Sequence, residues 1–230
     1  MDLVELARRV VADRFPVVRA AFLAGSAGEG TANEFSDLDL VVVLDGPPAP
    51  YRETVRVEGW PVELFVHTTE SIAYWLDRER QQGRCTLAHM LATGVPLAGP
   101  DVDEVSAQAR AHVAAGPLPW TAEQLELRRY LLTDALDDLA GARDADERDA
   151  VAGQVLTMVS ELALAVSGCW QGKGKWMVRR LREYDAELGH RLLAGHRAVI
   201  ASGDISLLVT ACEAVLTPLG GRLTEGFAVR

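Results

Sequence analysis

Hydrophobic positions along the chain follow two different rhythms. Residues 2–14 carry apolar side chains at helical spacing between charges (Asp2, Glu5, Arg8, Arg9, Asp13, Arg14), which predicts an amphipathic helix and not a leader peptide. Residues 17–24 form a short apolar run that predicts a strand. A second strand is predicted over 36–44, where Leu40-Val41-Val42-Val43-Leu44 is continuously apolar. Pro47, Pro48 and Pro50 mark a loop, and Val55-Arg56-Val57 and residues 62–66 flank Glu58-Gly59-Trp60-Pro61 as a hairpin would. Helices are predicted at 69–80 and 85–93.

Gly116-Pro117-Leu118-Pro119 cannot continue a helix and reads as a linker. Beyond it every pattern is helical. Thr121-Ala122-Glu123-Gln124 is a capping box that opens a helix to about residue 140. Further helices are predicted at 146–167, 175–187, 190–202 and 205–216, with Gly203 as a C-terminal stop. The expected architecture is an α/β (α+β) domain with a small mixed sheet over 1–116, followed by an all-α helical bundle over 117–230.

Composition narrows the functional classes. Hydrophobic residues make up 49% and charged residues 24%, which excludes wholesale disorder. The 33 acidic against 23 basic residues give a net charge of −10, which repels phosphate backbones and argues against nucleic-acid binding. The apolar stretch 150–170 contains Gln154 and Glu161 and reads as a buried helix, not a membrane span. Cys85, Cys169 and Cys212 are odd in number, far apart and without a CxxC pair, as expected of reduced thiols in a cytoplasmic protein.

Candidate chemistry is concentrated in Gly25-Ser26-Ala27-Gly28-Glu29-Gly30 and Ser36-Asp37-Leu38-Asp39-Leu40. On a strand, residues i and i+2 face the same way, so Asp37 and Asp39 project together. Two carboxylates on one face repel unless a cation sits between them, and oxygen ligands without His or Cys favour Mg²⁺ or Mn²⁺. Gly25 permits a tight turn, and Ser26 offers a hydroxyl and an amide to a phosphate. Glu63 stands in the otherwise apolar Pro61-Val62-Glu63-Leu64-Phe65-Val66. If its strand lies beside that of Asp37, Glu63 faces the same metal and can help deprotonate an attacking hydroxyl.

Gly25-Ser26, ten residues, Asp37-Leu38-Asp39 and then a strand acid resemble the nucleotidyltransferase superfamily that includes DNA polymerase beta. With a helical second half, the chain most resembles the small bacterial antibiotic nucleotidyltransferases acting on aminoglycosides or lincosamides. The resemblance implies that Gly25 and Ser26 bind the nucleoside triphosphate, that Asp37 and Asp39 hold Mg²⁺, and that the third acid activates the acceptor hydroxyl. Glu63 stands where Asp is the commoner choice.

Only two of the 23 basic residues are lysines, and both lie in Gln171-Gly172-Lys173-Gly174-Lys175-Trp176. Lysine is a compact charge suited to phosphate, and flanking glycines let backbone approach, so Lys175 and then Lys173 are candidates for the triphosphate. A solvated basic helix start is the plainer alternative. Glu161, on an apolar helix, either binds the acceptor or pairs with an arginine. Asp134, Asp137 and Asp138 suit a polycation or simply a wet helix face. The five histidines show no ligand spacing, and Trp60 and Trp176 are core residues unless they stack on a base.

The expected activity is therefore Mg²⁺-dependent transfer of a nucleotidyl group, AMP if the donor is ATP, to a hydroxyl of a small molecule with release of pyrophosphate. A protein adenylyltransferase and a non-catalytic nucleotide-binding module remain open at this point, and a homodimer is compatible with all three.

Overall fold

The computed structural model describes residues 2–228. Its contacts divide the chain into two compact units, Met1–Gly116 and Pro117–Arg230.

The first unit begins with α1 (Leu3–Arg14), capped by Asp2, whose side chain accepts the amides of Val4 and Glu5. Strand β1 (Ala20–Ala24) follows, then a single helical turn, α2 (Gly25–Gly28), and β2 (Leu38–Val43). The hairpin is β3 (Tyr51–Val57) and β4 (Trp60–His67). Then come α3 (Thr69–Gln82), α4 (Leu87–Thr93), β5 (Val95–Ala98) and α5 (Val102–Ala115). The five strands order as β3-β4-β2-β1-β5. Strands β2 and β4 are parallel, and the other neighbours are antiparallel, so the sheet is mixed.

Alternation along the strands sends side chains to two cores. Leu38, Leu40, Val42, Val62, Leu64 and Val66 pack with Leu6, Val10 and Val11 of α1. Val41, Val43 and Phe22 face the other way, onto Ile72, Leu87, Met90, Leu91 and Ala109. Burial on both faces explains why β2 reads as a continuous apolar run.

The second unit is entirely helical: α6 (Ala122–Gly141), α7 (Ala145–Val166), α8 (Lys175–Tyr184), α9 (Ala186–Ser202) and α10 (Ser206–Leu216), ending in a 3₁₀ turn at Thr217–Leu219. Thr121 and Gln124 form the expected capping box. Gly203 ends α9 at φ +76°. Helix α7 is long and apolar enough to cross a membrane by length and composition. In this unit it supplies Val155, Val159, Leu162 and Leu164 to the core.

Several expected bounds shift, each for a physical reason. The chain is extended at Asp185, whose side chain accepts the Leu188 amide, so α9 starts at Ala186 where one longer helix to 187 was expected. Helix α4 starts at Leu87 and not at 85, because the Glu79 carboxylate of α3 accepts the amides of Thr86, Leu87 and Ala88. Strand β1 starts at Ala20, where pairing with Val43 begins. Strand β5 and helix α5 were not expected. A four-residue edge strand containing Pro96 carries little periodicity of its own.

Candidate active site

Asp39 lies on β2 and Glu63 on β4, directly paired across the parallel ladder. Both are on the α3–α5 face, opposite to Leu38 and Leu40. Asp37 stands just before β2 begins at Leu38, not within the strand. The structure nonetheless brings Asp37, Asp39 and Glu63 together: one carboxylate oxygen from each lies within 4.8 Å of the others. At that separation each like-charge pair costs roughly 1 kcal/mol in water and about 3–4 at an effective dielectric near 20. Three hard oxygen donors in this space suit Mg²⁺ or Mn²⁺.

Arg52, on the edge strand β3, was not singled out from the sequence. Its Nε donates to Glu63 Oε1 at 2.9 Å and its Nη2 donates to the same oxygen. Its guanidinium also lies 4.7 Å from the centre of the Phe65 ring. The guanidinium offsets part of the acid cluster's repulsion and fixes the direction of the Glu63 carboxylate.

Gly25 and Ser26 form the first half of the turn α2. Gly25 has φ +61°, and a Cβ there would lie 2.0 Å from Asp39 Oδ2. Only glycine therefore lets the chain pass this close to the acid. Ser26 Oγ lies 3.0 Å from Ser36 Oγ, and Ser36 Oγ in turn accepts the Asn33 amide. The glycine turn is thereby tied to the residue preceding Asp37. At the far end of β4, His67 Nδ1 lies 3.1 Å from Ser71 Oγ, and burial lowers the His67 pKa below its ordinary 6.5.

The other candidates belong to the second unit. Lys173 and Lys175 are exposed, and Gly174, at φ +53°, precedes the first residue of α8. Arg179 and Arg180 lie 4.7 and 5.5 Å from the Trp176 ring centre. Glu161 has a partner in Arg128, at 4.0 Å. Asp137 pairs with Arg222 at 2.8 Å, which removes part of the acidic patch.

Residues 4–81 match the family model of the nucleotidyltransferase domain. That span contains Gly25, Ser26, Asp37, Asp39 and Glu63. This stretch of the first unit is thus similar to a nucleotidyltransferase domain, and the match supports a nucleotidyltransferase enzyme that takes a nucleoside triphosphate. Domains of this class generally work with a divalent metal. No match was found among curated proteins. Among solved structures, the chain is similar to a nucleotidyltransferase-like protein from Exiguobacterium sibiricum 255-15. Identity to that protein is 13% and the TM-score is 0.45, over 94% of this chain and 75% of the other.

Proposed function

We propose that the protein transfers a nucleotidyl group, AMP from ATP, to a hydroxyl of a small acceptor and releases pyrophosphate. The observation that carries this reading is the meeting of three carboxylates within 4.8 Å beside a glycine with no room for a side chain. Asp37, Asp39 and Glu63 would hold Mg²⁺ or Mn²⁺, and such an ion supplies charge neutralisation at the triphosphate. Gly25 and Ser26 present the turn's amides and a hydroxyl to phosphate oxygens. Glu63, held by Arg52, receives the proton of the acceptor hydroxyl. Lys173 and Lys175 bind the polyphosphate, so Lys175→Ala should raise the apparent KM for nucleotide. An unchanged KM returns that segment to ordinary surface.

Glu161 lies 4.0 Å from Arg128 and Asp137 pairs with Arg222, and the proposed transfer assigns a step to neither acid. The complete acid set argues against a module that only binds nucleotide. The absence of disulfides among the described residues is consistent with a cytoplasmic setting.

The test is pyrophosphate release from ATP and Mg²⁺ across hydroxylated acceptors, comparing wild type with Asp39→Asn. Release that survives Asp39→Asn at full rate refutes the assignment of the acids.

A further inference from the structure

A recess of about 380 Å³ opens on the sheet face that carries Glu63, further along β4. Its volume falls within the range of small-molecule sites, about 300–1,000 Å³. Phe65, Trp75, Leu87 and Met90 give it apolar and aromatic walls. Arg52 belongs both to this wall and to the acid cluster, since it bonds Glu63 Oε1 and stacks on Phe65.

The strand order sets the direction of the reaction across the site. The Gly25–Ser26 turn leaves β1, Asp39 lies on β2, Glu63 on β4 and Arg52 on β3, in that spatial order. Attacking and leaving oxygens lie roughly in line through the reacting phosphorus. With pyrophosphate held at the Gly25 turn, the attacking hydroxyl arrives from the β4–β3 side, where the recess lies.

The charges of the recess select what can enter. Its carboxylate, Glu79, is committed: Oε1 accepts the Thr86 and Leu87 amides at 2.8 and 2.6 Å, and Oε2 accepts the Ala88 amide at 3.1 Å. No acid of the lining is left to meet an ammonium group, while Arg52 offers a cation beside an aromatic face.

We infer that this recess receives the acceptor, and that the acceptor is a hydroxyl-bearing aromatic, neutral or anionic, not a polycationic amino sugar. The inference rests on the proposed role of Glu63. In the step, the acceptor oxygen forms a bond to the α-phosphorus and the bond from that phosphorus to the pyrophosphate oxygen breaks. The electron pair leaves on pyrophosphate and the hydroxyl proton passes to Glu63.

Thr86 lines the recess, is exposed, and bonds Glu79 through its backbone amide, so Thr86→Trp fills the space without removing that bond. Saturation-transfer NMR would follow tyrosol, 4-hydroxyphenylacetate and kanamycin on wild type and Thr86→Trp, with melting as the control for folding. Pyrophosphate release with ATP and Mg²⁺ would be read in parallel. Both aromatics should bind wild type and lose affinity by about tenfold or more in Thr86→Trp, and their kcat/KM should exceed that of kanamycin by about tenfold or more. No aromatic binding, binding unaffected by Thr86→Trp, or a preference for kanamycin overturns the inference. Release that survives Thr86→Trp but not Asp39→Asn overturns the recess alone. Binding that is lost in Thr86→Trp, with no release by wild type, overturns the acceptor role together with the proposed transfer.

Discussion

Substituting Gly25 by alanine separates the cost of folding from the cost of chemistry. A Cβ at this position would lie 2.0 Å from Asp39 Oδ2 and 3.1 Å from its Cγ, whereas ordinary contact begins at 3.4 Å. The obstructing atom is the far end of a side chain, so Asp39 can rotate away and the sheet need not move. The backbone cost is that of a left-handed alanine at φ +61°, about 1–2 kcal/mol. At roughly 4–8 °C per kcal/mol for a unit of about this size, that lowers Tm by about 4–16 °C. The chemical cost is larger, because Oδ2 must retreat by more than 1 Å from its place in the acid cluster. Misplacement on that scale costs about 100-fold in rate, near 2.7 kcal/mol. Gly25→Ala should thus remain folded by circular dichroism, bind Mn²⁺ more weakly by electron paramagnetic resonance, and release pyrophosphate about 100-fold more slowly. Wild-type Mn²⁺ affinity together with transfer within about twofold of wild type would refute the reasoning.

Three further outcomes follow from the same geometry. Mg²⁺ at about 100 times its Kd should stabilise the wild type by about 2.7 kcal/mol, and Asp39→Asn should lose this response without melting lower than wild type in EDTA, since one repelling charge is gone; an equal Mg²⁺ response in both proteins counts against the metal assignment. Burial lowers the pKa of His67 and of His112, the latter helped by Arg80, so the unfolded chain takes up protons near the ordinary 6.5 before the folded one does. Stability should be complete above about pH 6.5 and fall as pH drops below it, while Glu79, raised by burial, acts in the opposite sense nearer 4.5; urea midpoints that do not fall between pH 7.5 and 5.5 would contradict this. In the second unit, a Cβ on Gly195 would lie 2.6 and 2.7 Å from the backbone N and Cα of Leu208, so Gly195→Ala should destabilise that unit by about 1–3 kcal/mol and leave Mn²⁺ binding unchanged, which differential scanning calorimetry and Mn²⁺ titration would check.

The sequence and the structure meet most closely where the chemistry is local. The SDxD spacing and the cost of Glu63 in an apolar strand were enough to single out three acids that the structure brings within 4.8 Å, although only Asp39 and Glu63 lie on strands and Asp37 precedes β2. What remained hidden depends on partners distant in the chain. Arg52 lies outside the short apolar run that marks the hairpin, and its role appears only when β3 pairs with β4 and sets it beside Phe65. The start of α4 is fixed by Glu79, a residue of the preceding helix, and no local cap signals it. The break at Asp185 was legible in principle, since an aspartate accepting an amide three residues on is a helix start, but the sequence pattern runs the first helix on to 187 and begins the next at 190.

Strand β3 lies at the rim of the sheet and pairs on one side only, whereas the two strands carrying Asp39 and Glu63 are enclosed by neighbours. The inner carboxylates therefore stand on strands packed between two apolar layers. The rim is under no such constraint. Exchanges in the proline-rich loop before Arg52 should therefore alter which molecule is welcomed more than the transfer itself, whereas Arg52, bonded to Glu63, belongs to both.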